Sequence, residues 1–255
     1  MTTALGIDIG GTGIKAAVVD LEHGTLATQR KRLKTPHPAT PKAVAQTIQK
    51  LVDDDELRAP QLVGAGFPAA IKDGHVLSAA NVDRKWIGPD AAALISTATG
   101  RRTVVLNDAD AAGLAAIRFG AGKGVDGVVL MITLGTGIGC GLFFNGALFP
   151  NTELGHVQVR GKDAELRASE SVREKKDLSW RAWARRVQEY LDVIDRLLWP
   201  DLVIIGGGVS ATPEKFLPRI HIRPKLVAAT LGNEAGIIGA AMYAAETAAP
   251  VAPTM

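Results

Sequence analysis

The stretch LGIDIGGTGIKAAVVD, residues 5–20, places a glycine turn between two apolar runs, and this pattern decides the fold. The same four turn residues, GTGI, occur again inside VLMITLGTGIGCGLFF, residues 129–144. Apolar and β-branched runs on both sides of a short glycine segment predict a β-hairpin. We therefore predict strands over residues 4–9 and 14–20 around the first turn, and over 127–133 and 140–144 around the second.

The elements that follow each hairpin indicate that one α/β unit occurs twice. After the first hairpin we predict a strand 25–32, a helix starting near Pro41, a strand 62–66, a hairpin at Asp73-Gly74, a helix 89–99, a strand 103–106 and a helix 109–119. After the second we predict a hairpin at Asn145-Gly146, a strand 147–149, a helix 180–198, a strand 201–205 and a helix 233–245. An internal duplication is the simplest account, and two such lobes facing each other would form a cleft into which both turns point.

Composition and charge exclude several classes of protein. The 255 residues include a single cysteine, Cys140, so neither an intramolecular disulfide nor a cysteine-based metal cluster can form. The net charge of +3 is too small to argue for a nucleic-acid partner. We see no signal peptide and no run of about 18 apolar residues, so we expect a cytoplasmic protein without membrane contact.

The glycine turns match neither common nucleotide motif. A Walker loop needs a lysine followed by Ser or Thr before a helix, but here Lys15 is followed by Ala16. The dinucleotide pattern GxGxxG fails at Cys140. A tight hairpin can still bind an anion through its N–H groups and the hydroxyls of Thr12 and Thr136. The alternative is two hairpins that serve only the fold, and the matching second copy favours anion binding.

Three motifs resemble those of the superfamily of sugar kinases, actin and heat-shock ATPases. The segments DIGGTGIK, LGTGIGCG and IIGGGVS are similar, in this order, to its first phosphate, second phosphate and adenosine motifs. NDADAAGL and ELGH, residues 107–114 and 153–156, resemble the ROK family within it. The resemblance implies an α/β fold of two duplicated ribonuclease H-like lobes, of the actin and hexokinase type, with a central cleft and a hinge. It also implies a homodimer.

The resemblance also implies a division of the chain and a set of donor-binding residues. We expect a small lobe over 1–108, a larger lobe over 109–232, a helix 233–247 that returns to the small lobe, and a disordered tail 248–255. Asp8 would hold Mg²⁺ through water. The phosphate donor would be bound by Gly10, Gly11, Thr12, Gly13, Lys15, Gly135, Thr136, Gly137, Gly207 and Gly208.

Asp108 is the candidate general base for a sugar hydroxyl, because it follows a buried strand where open α/β sheets place ligands. The alternative is a helix-end charge, which is the role that we expect for the competing carboxylate Asp110. By resemblance, Asp108 would act as base. The sugar ligands would be Asn107, Asp108, Glu153, His156, Glu165, Gly66 and Asn81. A lone histidine is more often structural, but its place in ELGH favours sugar binding, and Glu165 is matched to the family's LEAYAS segment.

The segment after ELGH departs from the family's pattern. Many ROK proteins carry a CxCGxxGC zinc loop there, whereas this chain has VQVRGKDAE, so we expect no zinc. With SAANVDRKW and DLSWRAWARR, the missing loop resembles the polyphosphate glucokinases within the family. These transfer phosphate from inorganic polyphosphate, and often from ATP, to glucose. Lys123, Arg173, Lys175 and Lys176 could attract such a polyanion.

Three other functions are less consistent with the sequence. A strictly ATP-dependent ROK glucokinase or mannokinase, or an N-acetyl-sugar kinase, is the runner-up, since few pocket contacts separate these substrates. A ROK repressor would need an N-terminal helix-turn-helix, for which the first strand, starting at residue 4, leaves no room. A silent sugar-binding relative is disfavoured because Asp8, Lys15, Asp108 and both glycine turns are present.

Overall fold

A computed structural model describes residues 2–79 and 82–248. These residues form two compact units. The first is built from the chain up to Ala112 together with the chain from Gly236, and the second is built from Gly113–Ala235. The lobe boundaries expected after residues 108 and 232 remain a prediction.

The first unit is organised around a sheet with the strand order β3-β2-β1-β5-β8, with β4 also paired to β2. The hairpin partner β2 is antiparallel to β1, whereas β5 and β8 run parallel to it. The carboxyl ends of β1, β5 and β8 therefore share one edge of the sheet. The strands are β1 (Thr3–Ile9), β2 (Ile14–Asp20), β3 (Thr25–Leu26), β4 (Lys31–Leu33), β5 (Val63–Phe67), β6 (Ile71–Lys72), β7 (His75–Val76) and β8 (Thr103–Asn107).

The predicted strand 25–32 is wrong as a single element. The chain pairs with β2 through β3, leaves it, and pairs again through β4, where Leu33 faces Ile14. Between the two strands, the hydroxyl of Thr28 accepts a hydrogen bond of 3.1 Å from the N–H of Val18. A side chain thus takes the place of a backbone carbonyl, and this interrupts the ladder.

Capping residues and the spacing of apolar residues determine where the helices of the first unit begin and end. The first helix starts with Thr40 accepting a hydrogen bond from the Ala43 N–H and with Pro41 at the first position, and it buries Val44, Ile48 and Leu51. The second starts at the cap residue Asp90 and ends at the left-handed Gly100. The helices are α1 (Pro41–Val52), α2 (Ala91–Thr99) and α3 (Asp108–Phe119), and the boundary between the units falls within α3.

The second unit repeats the same sheet, with the strand order β11-β10-β9-β14-β15. Strand β10 is antiparallel to β9, and β14 runs parallel to β9. A separate two-stranded hairpin, β12–β13, lies outside this sheet. The strands are β9 (Val128–Leu134), β10 (Ile138–Phe144), β11 (Ala147–Phe149), β12 (Gln158–Val159), β13 (Lys162–Asp163), β14 (Leu202–Gly206) and β15 (Lys225–Ala228).

Two short helices and one long helix complete the second unit. They are α4 (Glu165–Ala168), α5 (Glu170–Lys175) and α6 (Trp180–Leu198). Helix α6 buries an apolar stripe that includes Trp183 and Tyr190. The Trp183 indole donates a hydrogen bond of 2.9 Å to the carbonyl of Ala168, which fixes the junction of α4 and α5 on the long helix.

The last helix, α7 (Ala235–Ala248), packs closely within the first unit. A Cβ atom on Gly6 would overlap the carbonyl of Ile237, and one on Gly64 would overlap that of Ala240. These glycines of β1 and β5 therefore let the helix backbone touch the sheet. Among the described residues no helix is both long and apolar enough to cross a lipid bilayer.

The predicted fold class is confirmed by the two sheets. Each contains an antiparallel hairpin followed by two parallel strands, and each hairpin turns at one copy of GTGI. The cleft and hinge that the resemblance implies remain a prediction.

Candidate active site

The first glycine turn connects β1 to β2 and has three of its carbonyl groups bonded by the protein. The N–H of Gly10 donates to the carbonyl of Gly13 over 3.1 Å. The Thr35 hydroxyl donates to the carbonyl of Gly10, and the Arg32 guanidinium donates to that of Thr12 over 3.1 Å. Carbonyl oxygens repel anions, so this bonding favours a turn that presents N–H groups to a phosphate.

Asp8 and Lys15 face each other on the same hairpin, in register across β1 and β2. The ammonium of Lys15 lies 2.8 Å from Oδ2 of Asp8, and the two side chains are 22% and 16% exposed. Gly236, at the start of α7, lies so close that a Cβ there would be 3.2 Å from Cγ of Asp8. The pair is therefore held beside the first glycine turn.

The donor set around Asp8 fits a magnesium ion held mainly by water and phosphate. Among the described residues, the one cluster with three metal-ligating side chains is Asp20, Glu22 and His23, and Asp8 is not part of it. Mg²⁺ keeps several waters and commonly uses one or two carboxylates together with substrate phosphates. Asp8 is a single carboxylate at the phosphate turn and matches this pattern. The described residues place no group of three metal-ligating side chains around Asp8.

Adjacent parallel strands bring four predicted site residues to one sheet edge. Asp8 on β1 is in register with Gly66 on β5, and Phe67 on β5 is in register with Asn107 on β8. A Cβ on Gly66 would lie 3.5 Å from the Cα of Asp108. Asp8, Gly66, Asn107 and Asp108 thus gather where open α/β sheets bind ligands.

Asn107 has a structural task that the sequence did not indicate. Its side-chain oxygen accepts hydrogen bonds from the N–H groups of Ala109 and Asp110, at 2.8 and 3.1 Å, and so caps α3. Its amide nitrogen donates to the carbonyl of Ala69 over 3.1 Å. The cap fixes the start of α3, and thereby the backbone of Asp108, relative to β8.

A pocket in the first unit connects the phosphate turn to Phe67 and Pro68, which follow the predicted sugar ligand Gly66. Its volume is about 280 Å³, and its lining includes Gly10, Gly11, Phe67, Pro68 and Trp86. The indole of Trp86 donates to the carbonyl of Ala39 over 2.9 Å, which fixes one wall. The predicted sugar ligand Asn81 lies outside the described residues.

The second glycine turn lies next to the predicted adenosine motif. The N–H of Gly135 donates to the carbonyl of Gly137 over 3.1 Å, and Thr133 of β9 is in register with Gly206 of β14. Gly207 has a φ of +83°, and a Cβ there would overlap the carbonyl of Leu134. Only glycine satisfies both conditions, so the two donor-binding segments are in direct contact.

Helix α5 is bonded to the second turn through Ser171, a residue that sequence reasoning missed. The Ser171 N–H donates to the carbonyl of Gly135 over 3.0 Å, and its hydroxyl donates to that of Thr136 over 2.7 Å. The carbonyls of this turn are thus bonded by protein donors, as in the first turn. A serine in a polar segment carries little sequence signal, which is why it was not found.

The four basic residues that could attract a polyanion differ in their surroundings. Arg173 stacks on the ring of Trp180 at 4.2 Å, whereas Lys175 and Lys176 are exposed at the end of α5. Lys123 is exposed in the segment after α3. Arg173 and Lys175 therefore belong to the helix that Ser171 bonds to the turn, and Lys176 directly follows it.

The structure brings together the three predicted sugar ligands of the second unit. His156 Nε2 lies 3.6 Å from Oε2 of Glu153, and His156 Nδ1 lies 4.0 Å from Oε1 of Glu165. Glu165 also accepts a hydrogen bond of 3.4 Å from the N–H of Ile138, the residue after the second turn. A Cβ on Gly155 would overlap the carbonyl of Ile138. The ELGH segment is therefore packed directly against the strand that leaves the donor turn.

A third carboxylate, Asp163, belongs to this group and was missed from sequence. Its Oδ2 lies 3.0 Å from Nδ1 of His156, within hydrogen-bonding distance. Gly161, at the tip of the β12–β13 hairpin, was the available signal, because two-residue hairpin turns favour glycine where φ is positive.

The pKa values in this group are shifted by burial and by the neighbouring charges. Burial raises the pKa of the Glu153 carboxyl, with a further contribution from the charge of Glu165. Burial opposes the charged form of His156, but the Asp163 hydrogen bond and the charges of Glu165 and Glu153 outweigh it and raise the His156 pKa. Carboxylates beside an imidazole suit the binding of adjacent sugar hydroxyls.

Comparison with known proteins connects this geometry to a family. A family model described as the ROK family matches residues 4–172. The polyphosphate glucokinase of Mycobacterium tuberculosis (strain CDC 1551 / Oshkosh) is 49% identical over 238 residues, which cover 93% of this chain and 89% of the relative.

Two solved structures are similar over nearly the whole chain. The inorganic polyphosphate/ATP-glucomannokinase from Arthrobacter sp. strain KM has a TM-score of 0.94 and 47% identity, covering 97% of this chain and 100% of that one. A ROK family glucokinase from Streptomyces griseus, in complex with glucose and AMPPNP, has a TM-score of 0.82 and 26% identity, covering 96% and 99%. The glycine turns, the strand-end carboxylates and the ELGH group are thus those of a protein that belongs to the ROK family.

Proposed function

We propose that this protein is a kinase that transfers a phosphoryl group from inorganic polyphosphate, and also from ATP, to the 6-hydroxyl of glucose. The observation that carries the proposal is the alignment of Asp8, Gly66 and Asn107 at adjacent strand ends, with Asp108 directly after them. The names of the relatives, polyphosphate glucokinase and polyphosphate/ATP-glucomannokinase, support polyphosphate and glucose as substrates.

In the proposed reaction, Asp108 accepts the proton of the sugar 6-hydroxyl while the oxygen of that hydroxyl attacks the terminal phosphorus of the donor. The bond between that phosphorus and the bridging oxygen breaks, and the shortened polyphosphate or ADP leaves with the bond electrons. The N–H groups of both glycine turns and the Lys15 ammonium bind the donor phosphates. When bound, Mg²⁺ neutralises charge on these phosphates, and Asp8 would hold it through water.

Sugar recognition is assigned to Asn107, Asp108, Glu153, His156, Glu165, Gly66 and Asn81. Ionised carboxylates accept hydrogen bonds from sugar hydroxyls, while an imidazole can donate or accept. Mannose is a second acceptor to test, because the Arthrobacter relative is a glucomannokinase.

The first experiment measures glucose 6-phosphate formation with magnesium and with polyphosphate alone or ATP alone, each at rising salt. We expect both donors to work. We also expect the polyphosphate reaction to fall more steeply with salt, because a polyanion releases counterions when it binds to basic groups. Activity with ATP alone would replace the proposal by the strictly ATP-dependent glucokinase, and no phosphorylation of any hexose would refute it.

Two further parts of the proposal concern the protein as a whole. We propose a cytoplasmic homodimer that binds no nucleic acid. Light scattering coupled to size-exclusion chromatography should give twice the 26.7 kDa of the chain. A mass of one chain across the working concentration range would refute the dimer and leave the proposed reaction untouched.

A further inference from the structure

The ring of His156 is bonded differently at its two nitrogens, and this difference has a functional meaning if His156 binds sugar as proposed above. We propose that Asp163 is a positioning residue that holds the proton of His156 on Nδ1 and thereby leaves Nε2 as the nitrogen that meets the sugar. Asp163 itself need not touch the substrate.

The distances separate the two nitrogens clearly. Nδ1 lies 3.0 Å from Oδ2 of Asp163, a hydrogen-bonding distance. Nε2 lies 3.6 Å from Oε2 of Glu153, which is beyond hydrogen-bonding distance. A carboxylate can only accept, so Nδ1 must carry the proton. The tautomer of a neutral imidazole is set by such a bond, so Nε2 remains available as an acceptor.

The hairpin β12–β13 fixes the orientation of the Asp163 carboxylate. Its two-residue turn, Arg160-Gly161, has positive φ at both positions, 52° and 72°, as a tight hairpin turn requires. The register places Gln158 opposite Asp163, and the Gln158 amide donates to Oδ1 of Asp163. One carboxylate oxygen is thus bonded by the hairpin itself, and this directs the other oxygen to the imidazole.

Two of the three charges around the ring act in the same direction, because Asp163 and Glu165 lie beside Nδ1, whereas Glu153 lies beside Nε2. Three carboxylates face His156, namely those of Glu153, Asp163 and Glu165. The hydrogen bond with His156 lowers the pKa of Asp163, so that this carboxyl stays ionised at neutral pH. Loss of the Asp163 side chain would remove its hydrogen bond to Nδ1 and leave the more distant carboxylates of Glu153 and Glu165 beside the ring.

The test begins with the protein free of substrate. Nitrogen-15 NMR reports which ring nitrogen carries the proton, and a His156→Gln variant identifies the His156 signals among the five histidines. We expect the Nδ1–H form in the native chain. In Asp163→Ala we expect a lower His156 pKa and loss of this preference. Lys162→Ala, an exposed neighbour on the same hairpin, is the matched control and should leave both unchanged.

Steady-state kinetics then test whether the hydrogen bond between Asp163 and His156 affects the KM for glucose. In Asp163→Ala we expect the KM for glucose to rise about tenfold, as for loss of a hydrogen bond to a charged group, while the donor KM is unchanged. Asp163→Asn, which keeps an acceptor oxygen, should recover part of the loss. An Nε2–H form in the native chain, or an unchanged glucose KM in Asp163→Ala, would overturn the inference. A native enzyme that does not phosphorylate glucose would instead refute the proposed function.

Discussion

Asp108 and Asp110 stand two residues apart in the first turn of α3, but their surroundings give them different chemistry. Asp110 is 1% exposed and therefore has no access to a ligand, whereas Asp108 is partly exposed at the sheet edge. A general base must reach the proton that it removes. Exposure, which a sequence does not record, thus supports the choice between two carboxylates in one motif.

Replacing Asp108 by Asn should remove the base and keep the shape of the site. We expect kcat to fall by roughly a thousandfold or more, while the dissociation constant for glucose changes by less than about tenfold. Steady-state kinetics and calorimetric titration with glucose measure the two effects. Asp126→Asn, at an exposed position, is the control and should behave like the native enzyme. Normal turnover in Asp108→Asn would rule out its role as base.

Glu153 should make stability depend on pH. Its pKa is raised by burial, so the folded state binds more protons than the unfolded state between the two pKa values. Stability therefore falls as pH rises through this window. Glu153→Gln should raise Tm at pH 8 by about 2 °C or less, with the difference vanishing near pH 3, where both states are protonated. A lower Tm for the variant at pH 8 would contradict this assignment.

At the scale of elements, the sequence predicted those whose signals are local. The two GTGI hairpins and the Asn145-Gly146 turn lie where expected, because glycine turns between apolar runs leave few alternatives. Strand 25–32 failed because its pairing depends on Thr28, whose hydroxyl replaces a backbone acceptor. The β12–β13 hairpin and α5 were missed because short polar segments show no periodicity. Asp163 and Ser171, which contact the site residues, were missed for the same reason, because they lie in these two segments.

Ser171 is where α5 meets the second glycine turn, and its hydroxyl can be removed alone. Ser171→Ala keeps the backbone bond to Gly135 and loses the bond to the Thr136 carbonyl. That carbonyl can then turn toward the phosphates. We expect the KM for both donors to rise about tenfold, with the KM for glucose unchanged and the Tm little altered.

Two variants control the Ser171 experiment. Ser171→Thr keeps a hydroxyl and should recover most of the donor affinity. Thr97→Ala removes an exposed helix hydroxyl in the first unit and should alter no kinetic constant. An equal rise in the KM values for donor and glucose after Ser171→Ala would point to a general loosening of the fold instead.

At the scale of the whole molecule, the duplication could be predicted because each unit starts with the same hairpin. The expected return of the last helix to the first lobe rested on the family resemblance alone, because the completion of each unit depends on contacts between distant segments. Helix α7 joins the first unit across more than a hundred residues, through backbone contacts at Gly6, Gly64 and Gly239. No local pattern encodes such a contact.

Metal content provides a test at this scale. Cys140 is buried, with its sulfur 3.3 Å from the Tyr190 hydroxyl, and residues 158–163 form the β12–β13 hairpin. A structural zinc site usually needs four nitrogen or sulfur ligands, and a single buried cysteine supplies little of such a set. We expect elemental analysis of the purified protein to give far less than one zinc per chain. One zinc per chain, lost with unfolding, would contradict this expectation.

The packing of α7 also bears on the order in which the protein can assemble during synthesis. The second unit is continuous in sequence and can fold once residue 235 has left the ribosome. The first sheet emerges earlier, but the surface around Gly6 and Gly64 stays uncovered until α7 follows. The part of the protein that is translated first is therefore finished last. A nascent chain that stops just after residue 235 would carry a complete second unit and an incomplete first one.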